Sequence, residues 1–367
     1  MASPFSRLDE CYFGKKVLVT GHTGFKGSWL SLWLKSMGAE VVGLSVDIPT
    51  NPSHFDIIHL ADDLRDHRVD VSDFSAVQEI MKSENPDFVF HLAAQPLVGQ
   101  SYLDPHKTFT TNTLGTINIL EAVRTTQSHC VMVMITSDKC YDNVEWDWGY
   151  REHDRLGGGD PYSASKGAAE LAISGYYRSY FANSGNIRVG IARAGNVIGG
   201  GDWAKDRIIP DSVKSWANGE TLAIRNPSAT RPWQHVLEPV GGYLVLGQRL
   251  TADSVLSGEP FNFGPSADQE HTVEQVIKRL ARHFPKAHWE TVTIDDAHRE
   301  AGLLKLNCDK ALRHLGWKSV WDFQETIDMT ADWYREFYLS KSENMREFSN
   351  SQIDKYKKDA LLQGSSE

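Results

Sequence analysis

The feature that most constrains this chain is a glycine-rich turn that follows a short apolar segment near its start. The segment KVLVT, at 16–20, predicts a buried strand, and it runs directly into Gly21, Gly24 and Gly27. Residues 25–37 then carry apolar side chains over much of a helical surface. Glycines let backbone N–H groups approach a pyrophosphate closely, at the positive end of a helix dipole. The pattern predicts a dinucleotide-binding turn, although an ordinary strand-to-helix turn also uses glycine.

Strand-like and helix-like patterns alternate through the first half of the chain. Further strands are predicted at 41–46, 67–71, 87–92, 131–135 and 187–192, and helices at 73–82, 105–124 and 161–182. The run VMVMI, at 131–135, is continuously apolar, as a strand buried on both faces should be. This alternation predicts an α/β fold with a Rossmann-type, doubly wound parallel sheet.

The alternation becomes looser after Asn196, where we expect a smaller, mixed C-terminal lobe that binds the substrate. Its predicted elements are helices at 207–218, 239–249 and 320–338 and strands at 222–225, 260–264 and 289–294. We therefore predict a cofactor-binding domain over 1–195, with 232–262 returning to it, and a substrate-binding lobe over 196–340. Residues 341–367 are polar and rich in Lys, Glu and Ser, which predicts a frayed helical tail.

Composition excludes several classes of protein. The formal net charge of -10 argues against a nucleic-acid partner, because such binding begins with a basic surface. The four cysteines lie far apart, without the spacing of a metal site or a disulfide framework. No segment approaches the roughly 18 consecutive apolar residues of a membrane span, and the first residues lack the apolar core of a signal peptide. We expect a cytoplasmic protein with no metal and no membrane partner.

An acidic residue at the end of the second predicted strand bears on the choice of cofactor. Asp47 can accept hydrogen bonds from both ribose hydroxyls, and its charge would repel a 2′-phosphate. This favours NAD over NADP. Lys26, in the glycine-rich turn, could compensate that repulsion.

The ends of the third and fourth predicted strands also carry candidate cofactor contacts. Asp70 can bind the adenine amine and Val71 can cover the ring, although a plain turn acid would look the same. The small residues after His91 leave room for a dinucleotide, or they serve only to pack helices. The residues expected at the cofactor are Gly21, Thr23, Gly24, Phe25, Lys26, Gly27, Asp47, Asp70, Val71, Leu92, Ala93, Ala94, Gln95, Thr111, Tyr162 and Lys166.

A tyrosine and a lysine in the helix predicted at 161–182 are candidate catalytic groups. Tyr162 and Lys166 lie one helical turn apart on the same face. A tyrosine hydroxyl is a weak base at neutral pH, and a nearby ammonium stabilises its phenolate. Such a pair is common by chance, but Ser137, at the end of the fifth predicted strand, adds a hydroxyl that could hold a sugar alcohol.

Together these motifs resemble the extended short-chain dehydrogenase/reductase family. The residues that carry the resemblance are the three glycines, Asp70-Val71, the segment NTLGT at 112–116, Ser137, and Tyr162 with Lys166. The segments RAGNVIG, at 193–199, and RPW, at 231–233, extend it into the second lobe. The resemblance implies an NAD-dependent enzyme that acts on a nucleotide-linked sugar and forms a homodimer, or a dimer of dimers, through its long helices.

The residues after Ser137 distinguish branches of this family. Asp138 supplies an acid that a 4,6-dehydratase needs to protonate the departing C6 hydroxyl, whereas a 4-epimerase needs no such group. Hexose 4,6-dehydratases generally have Glu as the C5 base where this chain has Lys139, so the C5 base is left open between Lys139 and water. The strings GHTGFKGSWL, at 21–30, and SDK, at 137–139, resemble the branch that dehydrates CDP-glucose.

That resemblance implies a hydro-lyase that makes a 4-dehydro-6-deoxy sugar, in the biosynthesis of deoxysugars for bacterial lipopolysaccharide O-antigen. A nucleotide-sugar 4-epimerase, a 4,6-dehydratase for another nucleotide, and a non-catalytic NAD-binding regulator are the alternatives. The substrate-binding residues expected are Gln95, Ser137, Asn196, Arg207, Ile224, Arg231 and His298. Of these, Asn196 and Arg231 match family positions near the phosphates, and Arg207 and His298 could equally be surface charges.

Overall fold

The computed structural model describes residues 3–127, 129–266, 269–292 and 303–365. The strands are β1 (Lys16–Thr20), β2 (Glu40–Ser45), β3 (Arg65–Arg68), β4 (Phe88–His91), β5 (Cys130–Ile135), β6 (Ile187–Ala194), β7 (Val197–Ile198), β8 (Leu222–Ile224), β9 (Thr230–Arg231), β10 (Gln234–His235), β11 (Pro260–Phe263), β12 (His271–Thr272) and β13 (Trp289–Thr291).

The α-helices are α1 (Leu8–Tyr12), α2 (Phe25–Ser36), α3 (His54–Ile57), α4 (Phe74–Glu84), α5 (Val98–Leu103), α6 (Pro105–Phe109), α7 (Gly115–Thr126), α8 (Pro161–Tyr176), α9 (Ile208–Asn218), α10 (Leu237–Ala252), α11 (Val273–Leu280), α12 (Asp309–Leu315), α13 (Phe323–Arg335) and α14 (Met345–Ser365). Short 3-10 turns occur at Pro4–Arg7, Leu60–Asp63, Asp138–Cys140, Ser254–Leu256 and Ala281–His283, and π-turns at Thr110–Leu114, Tyr177–Phe181 and Glu336–Ser340. Within the described ranges, no helix is both long and apolar enough to cross a membrane.

A seven-stranded sheet in the order β3-β2-β1-β4-β5-β6-β11 forms the centre of the fold. Every neighbouring pair in it runs parallel. The chain order reverses between β1 and β4, which is the switch point at which ligands bind in doubly wound sheets. The predicted Rossmann-type fold is therefore confirmed.

Apolar layers cover both faces of this sheet. One face packs α2 and α10 against alternate residues such as Val17 and Val19 of β1. The other face packs α4, α7 and α8 against Leu18 of β1 and Met132 of β5. β5 is buried along its whole length because helices lie on both sides of it.

The bounds of several predicted elements differ in the structure, as three examples show. The third strand covers Arg65–Arg68 rather than 67–71, because Asp70 already belongs to a turn in which its carbonyl accepts the N–H of Asp73. The helix predicted at 105–124 is interrupted by the π-turn Thr110–Leu114. The strand predicted at 289–294 ends at Thr291, and residues 293 and 294 lie outside the described ranges.

Smaller pairings make up the region after β6. β7 pairs with β10 and β8 with β13 in parallel, while β9 and β12 are antiparallel. β11 returns to the large sheet at the edge of β6. The division into domains at 195 and 340 stays a prediction.

The C-terminal segment was expected to be a frayed helical tail; it is helical as expected, but it is packed into the core instead of frayed. Residues 345–365 form the helix α14, and its Ile353, Tyr356 and Ala360 are buried in the main core. The polar composition of the segment is misleading, because these apolar side chains lie in the core that α14 shares with α2 and α13. Its Lys357 also forms an ion pair with Asp9 at 2.9 Å.

A buried carboxylate fastens α14 to the rest of the molecule. Glu238 in α10 is 1% exposed. It accepts hydrogen bonds from the backbone N–H groups of Val320 and Trp321, at 3.0 and 2.7 Å, and from the Tyr356 hydroxyl at 2.8 Å. Burial raises the pKa of Glu238 to about 7, against the opposing effect of these donors.

We therefore expect Glu238→Gln to change the pH dependence of stability. In the wild type, the unfolded chain loses this proton near pH 4.5 while the folded protein keeps it until about pH 7, so the free energy of unfolding falls across that window. Glutamine does not titrate, and the variant should gain on the order of 3 kcal/mol relative to the wild type between those pH values. Urea unfolding at about pH 5 and about pH 8 measures this difference.

The matched control is Glu274→Gln, which replaces a carboxylate that is half exposed and paired with Lys278. This variant should follow the wild type at both pH values. A Glu238→Gln protein whose stability differs from the wild type by the same amount at both pH values would contradict the expectation.

Candidate active site

The glycine-rich turn connects β1 to α2 with very close backbone contacts. Gly21 has φ +75°, and a Cβ atom on it would lie 2.8 Å from the backbone nitrogen of Ala93. A Cβ atom on Gly27 would lie 2.0 Å from the carbonyl oxygen of Gly21. Only glycine fits either position, and the first turn of α2, beginning after Gly24, is left open to a ligand.

The same turn is hydrogen-bonded to the ends of β2 and β3. The Thr23 hydroxyl donates to the backbone carbonyl of Asp47 at 2.6 Å. His22 lies between Ser45 and Asp66, at 3.0 Å from each, and burial lowers its pKa to about 4. The Asp47 side chain remains exposed beside the turn, which is the position of an acid that contacts a ribose.

Asp70, just after the end of β3, is held by a backbone hydrogen bond and an ion pair. Asp70 accepts the backbone N–H of Ser72 at 2.9 Å and pairs with the Lys107 ammonium at 2.6 Å. Partial burial favours the protonated form of Asp70, but the bonds from Lys107 and Ser72 outweigh it and lower the pKa. Val71 is buried against Gly115, where a Cβ atom would lie 2.7 Å from its Cγ2.

A buried asparagine that the sequence analysis did not select organises the end of β4. Asn112, in the π-turn, accepts the N–H of Gln95 at 2.8 Å and donates to the Gln95 carbonyl and to Ser165 in α8, at 3.2 and 2.9 Å. The available signal was the segment NTLGT, which carries part of the family resemblance. The π-turn that the structure shows there is a feature that concentrates at functional sites. The Gln95 amide is itself bonded to Thr108 and Leu97, at 3.0 and 2.6 Å.

These features fit a bound dinucleotide. The hydroxyl of Thr111, which was expected at the cofactor, is buried and has no hydrogen-bond partner within the described part of the chain. Such a group is expected to bond to a ligand. The small residues Leu92, Ala93 and Ala94 follow β4 beside the glycine turn, where Ala93 lies against Gly21.

The predicted catalytic residues come from two elements, the carboxyl end of β5 and the first turns of α8, which meet at Ser137 and Tyr162. Tyr162 and Lys166 are buried in the first turns of α8, and Ser137 follows β5. The Ser137 hydroxyl donates to Asp138 at 2.9 Å. Burial raises the pKa of Tyr162 to about 12, against a hydrogen bond with Ser137, and lowers the pKa of Lys166 to about 8.

Asp138, the acid of this group, is buried, with 3% of its surface exposed. Burial raises its pKa, while the charges of Lys139 and Lys26 and the bond from Ser137 oppose the shift. A Cβ atom on Gly195 would lie 3.1 Å from the Asp138 carboxylate, so the chain before Asn196 runs directly beside it. Gly195 is a second residue that the sequence analysis did not select.

Lys26 was expected at the cofactor, and charged residues of the catalytic group also act on its ammonium. Burial lowers its pKa to about 8, and the largest charge effects on it come from Arg207, Asp138, Lys166 and Asp202. Its ammonium therefore lies among the catalytic residues. Its neighbour Phe25 has its ring near Gly199, where a Cβ atom would be 3.2 Å from it.

The predicted substrate-binding residues are brought together only in part. Arg207 pairs with the buried Asp202 at 2.7 Å, and the charge of Asp202 raises the pKa of the Arg207 guanidinium. Arg231, in β9, donates to the carbonyl of Thr230 at 2.8 Å. His298 lies outside the described residues.

Ile224 requires a correction. Its side chain is 1% exposed in the main core, and its carbonyl accepts the N–H of Val292 at 2.9 Å. Sequence alone does not show that the strand containing Ile224 pairs with β13, and this pairing buries the Ile224 side chain.

Two cavities lie near the sheet. The larger, about 660 Å³, is at the amino ends of the strands, beside Lys15, Asp87 and Val131. The smaller, about 240 Å³, opens beside Gly195 and Pro232, next to Asp138. Ligands of open parallel sheets bind at the carboxyl ends, so we place the site at that edge, where Gly195, which lines the smaller cavity, lies against Asp138.

The fold and the site define an enzyme of the extended short-chain dehydrogenase/reductase type. The family described as "GDP-mannose 4,6 dehydratase" matches residues 18–330, and the chain belongs to it.

Three known proteins illustrate the similarity of this chain in sequence or fold. A "CDP-glucose 4,6-dehydratase" of Salmonella typhimurium is 47% identical over 348 residues, covering 94% of this chain and 96% of that protein. The structure of a UDP-glucose 4-epimerase of Thermus thermophilus, in complex with NAD, has a TM-score of 0.75 and 25% identity, over 87% of this chain and 99% of that one. A dTDP-glucose 4,6-dehydratase of Bacillus anthracis, in complex with NAD, has a TM-score of 0.73 and 20% identity, over 88% and 97%.

Proposed function

We propose that this protein is an NAD-dependent CDP-glucose 4,6-dehydratase, a hydro-lyase that converts CDP-D-glucose into CDP-4-dehydro-6-deoxy-D-glucose and water. The observation that carries the proposal is the buried acid Asp138, hydrogen-bonded to Ser137 beside Tyr162 and Lys166. Oxidation at C4 alone needs no such acid, whereas loss of the C6 hydroxyl as water does. The 47% identical relative carries the same activity in its name.

The first task of the site is to remove the proton of the C4 hydroxyl. Tyr162 takes this proton, with Ser137 holding the sugar oxygen and the Lys166 ammonium stabilising the phenolate. NAD, held at the turn from Gly21 to Gly27, would supply the hydride acceptor for C4 and the hydride donor for C6. Burial of Tyr162 keeps its pKa high in the absence of substrate, so the base depends on the positive charges that surround it.

The second task is elimination across C5 and C6. Burial raises the pKa of Asp138, which favours the protonated form that donates to the departing C6 hydroxyl. Lys139 or a water takes the C5 proton, and a proton returns to C5 when hydride reaches C6. Atoms balance, because one water leaves and the cofactor ends as it began.

The residues around the catalytic group bind the cofactor and the nucleotide part of the substrate. At the cofactor, Asp47 binds the ribose hydroxyls, Asp70 and Val71 the adenine, and the turn from Gly21 to Gly27 the pyrophosphate. On the substrate side, Asn196, Arg207 and Arg231 bind the diphosphate, for which a guanidinium offers a planar pair of donors.

The function is tested by offering the protein glucose linked to CDP, dTDP, GDP or UDP, each with deuterium at C4. CDP-glucose should be converted fastest, to a product that has lost one water and carries the deuterium at C6, as measured by mass spectrometry and NMR. Deuterium at C4 in a product of unchanged mass would identify an epimerase and overturn the proposal. Binding of NAD with no conversion of any sugar would identify a non-catalytic regulator.

The roles of Asp138 and Lys139 are tested by Asp138→Asn and Lys139→Met. Asp138→Asn keeps the shape but removes the acid, so turnover should fall by about 10² or more while the 4-dehydro sugar, still holding its C6 hydroxyl, accumulates on the protein. Lys139→Met should stall at the same stage if its amine is the C5 base. Mass spectrometry of rapidly quenched reactions detects the stalled sugar.

Tyr162→Phe serves as the control, because it should block the reaction before any 4-dehydro sugar forms. If Asp138→Asn also yields no 4-dehydro sugar, Asp138 does not act at the elimination step. Unchanged turnover in Lys139→Met would assign the C5 proton to water.

We also propose that the protein is a homodimer. The helices α5 to α8 pack side by side, and large apolar side chains are exposed on them and on the adjoining π-turns: Leu103, Phe109, Leu114, Leu171 and Tyr180. Leu103 and Leu171 are 80% and 65% exposed. A second copy that covers the face formed by α5, α6, α8 and the two π-turns would bury them, and further pairing would give a dimer of dimers.

Leu171→Glu should therefore weaken the dimer, because it places a charge in the apolar contact. Sedimentation velocity at micromolar concentration should show monomer for this variant and dimer for the wild type. Leu312→Glu, in α12 and also exposed, is the control and should leave the dimer intact. A Leu171→Glu protein with the mass of the wild type would refute this interface.

A cytoplasmic location is part of the proposal. Cys11, Cys130, Cys140 and Cys308 are all free thiols, as is usual where thiols are kept reduced. Recovery of the native protein from a periplasmic fraction would contradict it.

A further inference from the structure

A buried ion pair lies directly behind the catalytic residues. Glu170, in α8, lies one turn beyond Lys166, and Arg193 belongs to β6. The two guanidinium nitrogens Nε and Nη2 donate to the two carboxylate oxygens at 2.7 and 2.8 Å. Both side chains are 2% exposed, and the proton transfers proposed above do not involve either of them.

The carboxylate is also bonded to the strand that presents the serine. The Thr136 hydroxyl donates to Oε1 of Glu170 at 2.6 Å. Thr136 immediately precedes Ser137, so this bond fixes the end of β5 relative to α8. The distance between Ser137 and Tyr162 depends on that relation, because the two residues come from these two elements.

The arginine ties the pair to a third part of the chain. Arg193 donates to the Tyr141 hydroxyl at 2.7 Å and to the Glu152 carbonyl at 2.9 Å, and its guanidinium lies 4.8 Å from the centre of the Tyr141 ring. Tyr141 in turn donates to Asn262, in β11, at 2.8 Å. The Arg193–Glu170 pair is thereby held in one geometry.

The pair also contributes to the electrostatic environment of the Lys166 ammonium. Lys166 is buried, and within the described ranges no carboxylate lies within ion-pair distance of its ammonium. Glu170 faces it and favours its charged form, whereas Lys26 and Lys166 act on each other as like charges. Cys140 faces it as a neutral thiol, because burial raises the pKa of Cys140 well above its usual value. His91 faces it as well, neutral because burial lowers its pKa to about 3.

We infer that Glu170 and Arg193 are positioning residues that hold Ser137 against Tyr162 and balance the charge beside Lys166. The inference rests on the proposed function only in that Ser137, Tyr162 and Lys166 carry the reaction. Removing Glu170 alone takes away a negative charge and leaves Arg193 as an uncompensated buried cation, and both effects destabilise the Lys166 ammonium. Removing both members restores the balance of charge.

The charge role is tested by Glu170→Gln and by the double variant Glu170→Gln with Arg193→Met. The titration of Lys166 is followed by NMR of lysine labelled at Cε, with the signal assigned by its loss in Lys166→Met. Glu170→Gln should lower the Lys166 pKa by about one unit or more, and the double variant should bring it back towards the wild type. The other groups around the pair, Cys140, Tyr141 and Glu152, are the same in all of these proteins.

This measurement needs no sugar substrate, so it is independent of whether CDP-glucose is the substrate. An unmoved Lys166 titration in Glu170→Gln, or equal titrations in the single and double variants, would overturn the charge role. Arg279→Met is the control: it breaks a partly exposed ion pair with Asp328 elsewhere in the chain, and should leave the Lys166 titration unchanged.

The positioning role is tested by Thr136→Val, which removes only the bond to Glu170 and keeps the shape. With CDP-glucose as substrate, kcat should fall about tenfold while KM stays nearly constant. Ser137 would be misplaced for the reaction, but the nucleotide would still be bound. Thr136→Ser should restore kcat. If Thr136→Val turns over at the wild-type rate, or if KM rises in place of the loss in kcat, the positioning role is refuted.

Discussion

The parallel direction of all seven strands in the central sheet is the constraint on which the active site depends. Because the strands run the same way, their carboxyl ends meet at one edge. The glycine turn after β1, Asp47 after β2, Asp70 after β3 and Ser137 after β5 therefore lie along the same edge, although they are far apart in the chain. The reversal of strand order between β1 and β4 opens the crevice in which the dinucleotide fits.

Close packing of that edge has an electrostatic consequence. Tyr162, Lys166, Asp138 and Lys26 are drawn out of water, so their pKa values move towards the neutral forms. A base, an acid and two amines with shifted pKa values in one pocket are the typical arrangement for proton transfer near neutral pH. The same burial makes unpaired charge costly, and in the Glu170–Arg193 pair the two buried charges compensate each other.

The C-terminal helix α14 packs, through His54, against the helix that begins at the glycine turn. Ser349 of α14 is 3.1 Å from His54, and His54 is 2.8 Å from Ser28 in the first turn of α2. The His54 ring also stacks on Trp29, 4.5 Å between centroids. The helix that begins at the glycine turn is thus packed against the last element of the chain, which explains why that element is ordered despite its polar composition.

The sequence by itself determined the α/β class, the glycine turn and the spacing of Tyr162 and Lys166, since these depend on local periodicity and on residues close together in the chain. Only the tertiary structure decided the rest. Whether the Ile224 side chain faces the substrate or the core depends on the pairing of its strand with β13. The environment of Lys26 depends on Asp138 and Arg207, which are distant in the chain. Burial and charge compensation are properties of distant partners, and a single stretch of sequence does not contain them.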